Sequence, residues 1–191
     1  MTALTPKEEI GPNRYRFTVE QFYELAKVGI LAPDERVELF DGAVLTMALP
    51  SPEQGYAIAN LNRFVMKHTS EEMRVDVHNP IHLDQHNESR PSLCLSRRRS
   101  NQYAHPMPGD LLFVVEVLDD TPNCVRSAKL PRYAAAGIAE SWLFDVSSWS
   151  LERHTDLRDG VYQQIARAER GQSLASTTLP AITLAVDDLL R

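Results

Sequence analysis

Residues 111–117 read LLFVVEV, the clearest strand signal in the chain. Six of the seven side chains are apolar, without the alternation of a strand that has one wet face, so the run predicts an interior strand of a sheet. Its single charge, Glu116, is costly to bury unless it is paired, protonated or bound to a metal. The alternative is a strand-end glutamate whose carboxylate reaches solvent or an arginine.

The segments that follow this strand predict an α/β domain. Residues 124–136 read as a helix that ends at Gly137, and SWLFDV at residues 141–146 predicts a second buried strand. The order strand–helix–strand favours a central mixed sheet flanked by helices. Two more strands are expected near residues 151–154 and 162–166, followed by a short strand or helical turn at the C-terminal end.

The N-terminal half predicts two helices and a β-hairpin. Thr18 begins a capping box before an apolar helical stripe, and Ser51 begins a second one before a longer helix. Asp41-Gly42 separates two strand-like runs, which is a strong hairpin signal. Residues 74–96 alternate like strands, and residues 97–110 predict a loop.

Length and composition fit one domain. The chain has 191 residues, enough to bury a substantial core. Residues 1–16 are rich in proline, glycine and charge, so we expect a flexible leader there and a single domain over residues 17–191. No run approaches the ~18 apolar residues of a membrane span, and the N-terminus lacks a secretory signal. We therefore expect a cytoplasmic protein without a membrane partner.

The charge and the cysteine content argue against two classes of function, a protein that coats nucleic acid and an enzyme with a catalytic thiol. The net charge of −6 argues against coating nucleic acid by charge alone, although a local basic patch remains compatible with DNA. Cys94 and Cys124 have no C-x-x-C spacing, and thiols stay reduced in the cytoplasm. We expect Cys94 to be a small buried residue rather than a nucleophile.

Two further charged residues could meet Glu116. Lys129 lies thirteen positions later, and a strand, a tight turn and a helix folding back would bring its ammonium near that carboxylate. Glu38 precedes the hairpin turn inside an apolar run. Taken alone, a helix lysine is usually solvated and such a glutamate usually faces solvent.

In their order and spacing, the motifs VELFDG, VVEV and KLPRYAAAGIAESWLFDV resemble the Uma-two family of proposed bacterial restriction endonucleases. That family is a branch of the PD-(D/E)XK nuclease superfamily, and the resemblance runs from about Phe17 to the C-terminus. It implies a restriction-endonuclease-like α/β fold and a DNA endonuclease that hydrolyses phosphodiester bonds with magnesium or manganese. Nuclease domains of this type often pair so that each subunit cuts one strand, so a homodimer is an assembly that the resemblance allows.

The resemblance assigns roles to the three charged residues. Glu116 matches the acid of the central strand, and Glu38 matches the acid before the Asp-Gly turn; both would hold the metal. The superfamily usually has its lysine two positions after the strand acid, where this chain has Leu118. Lys129 on the next helix would replace it, positioning the attacking water and stabilising developing negative charge.

Three positions depart from the family pattern. Ser92 stands where the family has the aspartate of a Pro-Asp pair, Val125 replaces a second aspartate, and Gln54 replaces a histidine. A hydroxyl is a much weaker magnesium ligand than a carboxylate, so we expect a weakened nuclease. The alternative is a catalytically inactive nuclease-fold protein that binds nucleic acid or a protein partner. The acids that could replace the missing ligand are Asp84, Asp119 and Asp120.

A weaker pattern is the recurrence of His78, His82 and His86 every four residues. On a helix this spacing would suggest a metal site. Pro80 and the surrounding strand and turn signals instead favour loop histidines.

The basic run Arg97, Arg98 and Arg99 lies in the predicted loop near Tyr103. Arginines there could contact phosphates at the mouth of a nuclease groove. A solvated basic loop is at least as common an explanation.

Overall fold

The described part of the chain contains three α-helices and twelve strands. The structure is a computed structural model that describes residues 14–32, 34–101, 103–119 and 125–189. A π-helical turn at Val125–Lys129 leads into the third helix, and 3-10 turns lie at Pro108–Asp110 and Val186–Leu189. In chain order the elements are α1 (Val19–Lys27), β1 (Val37–Phe40), β2 (Ala43–Thr46), α2 (Pro52–Lys67), β3 (Met73–Asp76), β4 (Ile81–Asp84), β5 (Asn87–Ser89), β6 (Leu93–Arg97), β7 (Leu111–Leu118), α3 (Leu130–Ala135), β8 (Ser141–Asp145), β9 (Ser150–Arg158), β10 (Val161–Ala168), β11 (Ser173–Ala175) and β12 (Thr183–Ala185).

Strand β7 is the interior strand that the sequence predicts. It lies in a six-stranded sheet of order β10-β9-β8-β7-β6-β3, parallel to β8 and antiparallel to β6. All eight of its residues are buried. Leu61 of α2 packs in the cluster on one face with Val115, and Leu130 of α3 packs in the cluster on the other face with Val114. The expected mixed sheet with helices on both faces is confirmed.

A second, four-stranded sheet of order β2-β1-β5-β4 was not predicted from the sequence. Its outer face packs on α1 through Phe22 and Leu39. Its inner face contributes Ile81 and Leu83 to the cluster that contains Cys94 of the central sheet and Leu130 of α3. The small sheet therefore lies against the central sheet beside α3, and it carries Glu38 on β1 into that interface.

The predicted hairpin forms at Asp41-Gly42. Both turn residues have positive φ, 50° and 75°, the combination of a type I′ turn that suits the twist of its flanking strands. A Cβ at Gly42 would lie 2.6 Å from Cβ and 2.7 Å from Cα of Arg16. Only glycine fits there, because the chain before α1 passes directly over the turn.

Most local expectations are confirmed, with differences near the termini and at the third helix. Thr18 and Ser51 both form capping boxes, and α2 has its C-cap at His68. The helix expected over 124–136 begins instead as the π-helical turn, and Cys124 lies outside the described residues. Of the expected leader, only residues 14–16 are described. No helix in the described ranges is long and apolar enough to cross a membrane.

Replacing Gly42 with alanine should destabilise the protein by about 2 kcal/mol or more, because it adds left-handed backbone strain to a steric clash. Urea unfolding measures the change. Gly55→Ala is the matched control: Gly55 lies in α2 with nothing within 4 Å of the methyl group that alanine would add, so this substitution should stabilise by about 0.5–1 kcal/mol. Equal effects of the two substitutions would contradict the turn geometry.

Candidate active site

A buried ammonium group lies at the junction of the two sheets. Lys129 is 2% exposed, and its Nζ donates to Glu38 Oε1 at 2.9 Å and to Glu116 Oε1 at 3.1 Å. Glu38 comes from the small sheet, Glu116 from the central sheet, and Lys129 from the π-helical turn before α3. The structure thus brings together three residues that are up to 91 positions apart.

Two hydroxyl groups extend this cluster. Tyr133 Oη donates to Glu116 Oε1 at 2.5 Å, and Ser89 Oγ lies 2.8 Å from Tyr133 Oη and 3.3 Å from Glu38 Oε1. The backbone N–H of Arg90 also donates to Glu38 Oε1, at 2.5 Å. Tyr133 lies one helical turn after Lys129, so both side chains point to the same side. The Oε1 atoms of both acids are therefore held by fixed donors.

Burial and charge set the protonation of the cluster. Burial raises the pKa of Glu38, the Lys129 ammonium opposes this shift, and the Glu116 carboxylate adds to it. Burial alone would lower the pKa of Lys129, but Glu116 and Glu38 outweigh it, and the pKa lies above its ordinary value. Burial and both carboxylates raise the pKa of Tyr133. Lys129 and Tyr133 therefore keep their protons at neutral pH and act as donors.

Each acid retains an oxygen atom without a protein partner. Glu38 Oε2 is buried and has no hydrogen bond, and Glu116 Oε2 accepts none from the described residues. Buried Glu140 is different, since Trp142, Ser176 and the backbone and side chain at residues 177–178 donate to its two oxygens. Because Glu38 Oε2 is buried without a hydrogen bond and lines the cleft together with Glu116, the two carboxylates could hold a cation there.

The cluster forms the floor of a cleft of about 490 Å³ between the two sheets and the start of α2. Arg36, His78 and Arg90 line it alongside the acids. Burial, together with the cations Arg36 and Lys129, lowers the pKa of His78, so its imidazole is neutral at pH 7. The cleft combines two acids on its floor with positive charge on its walls.

The three positions that depart from the family pattern all line this cleft. Ser92 is buried at the start of β6, and its hydroxyl accepts a 3.0 Å hydrogen bond from the N–H of Val117. Gln54 caps α2 and donates from Nε2 to the carbonyl of Val117. Val125 is the first residue of the π-helical turn. Ser92 and Gln54 thus hold the end of β7 beside Glu116 but add no charge.

The acids that could replace the missing aspartate have different positions. Asp119 lines the cleft, just beyond the end of β7. Asp84 instead accepts from the N–H of His86 and the side chain of Asn87 in the β4–β5 turn. Asp120 lies outside the described residues. Within the described ranges, no group of three or more histidine, cysteine, aspartate or glutamate residues could hold a metal ion.

The three histidines separate in space. His78 reaches the cleft, His82 lies 2.5 Å from Glu88 on the outer face of the small sheet, and His86 contacts the carbonyl of Phe17. The four-residue spacing therefore does not build a common site. Cys94 is buried, as expected, and burial raises the pKa of its thiol to about 12.

The basic run does not reach the cleft. Arg97 is the last residue of β6, which corrects the expected loop start, and Arg98 and Arg99 follow it, whereas Ser92 directly precedes the strand. They line a separate pocket with Arg74 and Asn101. Contact between these arginines and nucleic acid stays a prediction.

The sequence patterns did not predict the hydroxyl groups that bind the two acids or the arginines that line the walls of the cleft. Tyr133 follows Lys129 by four positions on a helix, a spacing that could have suggested a shared face. Ser89, Arg36 and Arg90 carry no comparable signal, because their contacts depend on how β1 and β5 pair.

Most of the chain matches a known protein family. The sequence profile of the Uma2 family, described as "Putative restriction endonuclease", matches residues 19–187. A crystal structure described as a putative nuclease belonging to DUF820, from Anabaena variabilis, superposes with a TM-score of 0.74 at 12% sequence identity. The alignment covers 91% of this chain and 97% of that chain, and it shows a shared fold. No curated protein matches this chain.

Lys129→Met should reduce the free energy of unfolding by about 3 kcal/mol or more at neutral pH, because it leaves two buried carboxylates without their cation. Without Lys129 the already raised pKa of Glu38 rises further. Above the ordinary pKa of glutamate, Glu38 then keeps a proton in the folded state that it has lost in the unfolded state, so the folded state loses stability as the pH rises. The loss relative to the parent should therefore be larger at pH 8 than at pH 5.

Urea unfolding at the two pH values measures this difference. Lys27→Met is the matched control, since Lys27 forms an exposed ion pair with Glu24 and should change stability little at either pH. A loss that is equal at pH 5 and pH 8 would contradict the proposed charge balance.

Proposed function

The chain belongs to the Uma2 family, and from this premise we propose that it is a divalent-metal-dependent DNA endonuclease that hydrolyses phosphodiester bonds. One observation supports this most: Glu38 and Glu116 each keep a free oxygen beside the buried ammonium of Lys129, at the floor of an open cleft. The activity is expected to be weak, because Ser92 stands where the family has a metal-binding aspartate.

The residues present fit a hard cation. Magnesium is bound through oxygen, often by only one or two carboxylates, and keeps several waters or substrate phosphates as its other ligands. Two carboxylates and one ammonium leave one net negative charge in the cluster. Glu38 Oε2 and Glu116 Oε2 would hold magnesium or manganese, with modest affinity until a substrate phosphate adds its own oxygens.

A bound metal of this kind polarises the phosphate and lowers the pKa of a coordinated water. Lys129 is too firmly protonated to serve as a general base, so its role is to hold its proton at Nζ and to stabilise developing negative charge. Tyr133 fixes Glu116 through Oε1, so Oε2 would be available to hold the metal. Arg36 and Arg90 on the cleft walls would attract the scissile phosphate.

The proposal includes DNA in the cytoplasm as the substrate and a homodimer as the assembly. One cleft cuts one strand at a time, so a break in both strands of a duplex needs two clefts or two successive events. In a homodimer the two sites would cut both strands in one binding event, so linear plasmid would form from the start of the reaction. A monomer would accumulate nicked circles first.

A rival function is binding without catalysis. It is favoured by the absence of a third acid converging on Glu38 and Glu116 within the described residues, and by the structural use of the Ser92 hydroxyl. A nuclease-fold protein with such a site would hold nucleic acid or a protein partner in the cleft. It would show no cleavage at any metal concentration.

Glu116→Gln and Glu38→Gln should each abolish metal binding and plasmid nicking, because each removes a charged ligand from a site with only two. Calorimetry with manganese and supercoiled plasmid with magnesium measure the two properties. Glu53→Gln is the matched control, since it removes the same charge from the exposed first turn of α2. Nicking that survives Glu116→Gln would contradict the assignment, and a parent without nicking at high metal would favour the rival.

Ser92→Asp should strengthen metal binding and raise nicking at least about tenfold, which corresponds to about 1.4 kcal/mol. One carboxylate oxygen can keep the hydrogen bond from Val117, while the other faces the cleft beside Glu116. Adding Val125→Asp tests the second lost charge, and Ser70→Asp on the exposed turn after α2 is the control.

The outcomes separate the possible causes of weak activity. Stronger binding without cleavage would place the remaining defect elsewhere, with Gln54 as the first candidate. A parent that already binds metal tightly and cuts efficiently would contradict the weakened-site proposal. Asp119 would then be the acid to test next, through Asp119→Asn.

A further inference from the structure

A second pocket, of about 240 Å³, lies at the C-terminal end of β6, away from the cleft beside Ser92, and shares no lining residue with the cleft. Four arginines gather there in a chain whose net charge is −6. Its lining consists of Arg74, Ser96, Arg97, Arg98, Arg99, Asn101, Ala104 and Pro106. The chain has concentrated positive charge at a concave site that the proposed chemistry does not use.

Arg74 is held in place at one wall of this pocket. Its Nε and one terminal nitrogen each lie 2.7 Å from an oxygen of Asp76, which is 5% exposed. Arg74 pairs with Ser96 across the β3–β6 ladder. Its other terminal nitrogen donates to the carbonyl of Ala104, so Arg74 gives the pocket a rigid wall while the neighbouring arginines supply the donors for a ligand.

The neighbouring arginines are tethered but keep donors free. Arg98 donates from Nε to the carbonyl of Met73, and its terminal nitrogens have no partner among the described residues. Arg99 lies 3.4 Å from Asp110, a long contact at an exposed side chain. Arg97 is exposed, and its guanidinium forms no hydrogen bond or ion pair with the described residues. Several N–H groups are thus available at the pocket.

We propose that this pocket binds a phosphate group of nucleic acid, as an accessory site that orients the strand lying in the cleft. The inference rests on the proposed function. Arginine forks match the geometry of phosphate oxygens. The strand from Ser92 to Arg97 spans about 16 Å, and a duplex longer than this carries backbone phosphates along its whole length, one charge per about 1.7 Å of axis. A duplex cut in the cleft can therefore place a phosphate at the pocket.

Binding of a fluorescein-labelled duplex of about 20 base pairs in EDTA tests the pocket without metal or cleavage. Arg98→Ala combined with Arg99→Ala should weaken binding about tenfold or more at low salt, and should reduce the slope of log affinity against log salt by about 1–2. Arg158→Ala combined with Arg170→Ala removes the same charge from exposed sites elsewhere, and should weaken binding less than about twofold. If the Arg98/Arg99 variant folds poorly, Arg97→Glu provides the same test at an unpaired exposed side chain.

Duplexes with a 5′-phosphate or a 5′-hydroxyl identify the source of the phosphate. A loss confined to the phosphorylated duplex assigns the pocket to a strand end, and an equal loss with both assigns it to the internal backbone; either result supports the proposal. Binding that the variants leave unchanged would overturn it. Displacement of the duplex by polyglutamate as effectively as by pyrophosphate would also overturn it, in favour of an acidic protein partner.

The pocket and the nuclease proposal can fail separately. If the parent never nicks plasmid but the arginine variants lose duplex binding, the phosphate-binding proposal for the pocket is supported and the nuclease proposal is contradicted. If the parent nicks plasmid and the arginine variants bind DNA as the parent does, the nuclease proposal is supported and the proposal for the pocket is contradicted.

Discussion

The fold depends on one buried ammonium group. Lys129 is almost fully removed from water, where an unpaired charge would cost several kcal/mol, so it must keep a carboxylate within reach. Its two partners lie on different sheets, Glu38 on β1 and Glu116 on β7. The same contacts that satisfy Lys129 therefore fix the small sheet against the central sheet and set the distance between the two acids.

Two buried carboxylates, Glu140 and Glu38, differ in how completely their oxygens are satisfied. Glu140 receives donors on both oxygens and anchors the segment after β11, so it is a structural residue. Glu38 is held on one oxygen only and leaves the other buried and unpartnered. A fold that needed Glu38 only for packing would gain stability by satisfying that atom. Since Glu38 also lines the cleft, its open oxygen is available to a ligand there.

The replacements at Ser92 and Gln54, which we propose weaken the metal site, leave the hydrogen bonds of the fold intact. The hydroxyl of Ser92 still accepts the N–H of Val117, and the amide of Gln54 still holds the carbonyl of the same residue. The end of β7 is therefore fixed next to Glu116 without any charge at these positions. Binding a metal strongly at position 92 would need a carboxylate, whereas holding the end of β7 in place needs only a hydrogen bond. The two properties can therefore change separately.

The sequence alone determined the features that depend on local chemistry. A continuous apolar run identified β7, the Asp-Gly pair identified the hairpin, and the capping patterns identified α1 and α2. The motif order pointed to Glu38, Glu116 and Lys129. Each of these signals lies within a few neighbouring residues or in an ordered series of such motifs.

Other features become visible only in the folded chain. They are the second sheet, the hydroxyl groups of Tyr133 and Ser89 in the cluster, the arginines on the walls of the cleft and the arginine pocket. Strands β4 and β5 have four and three residues, too few to show a period. Their neighbours are fixed by pairing with a strand almost fifty positions away, Leu39 against Glu88. Such register is set when distant segments bury their apolar faces together, so the partners of each side chain exist only once the chain has folded.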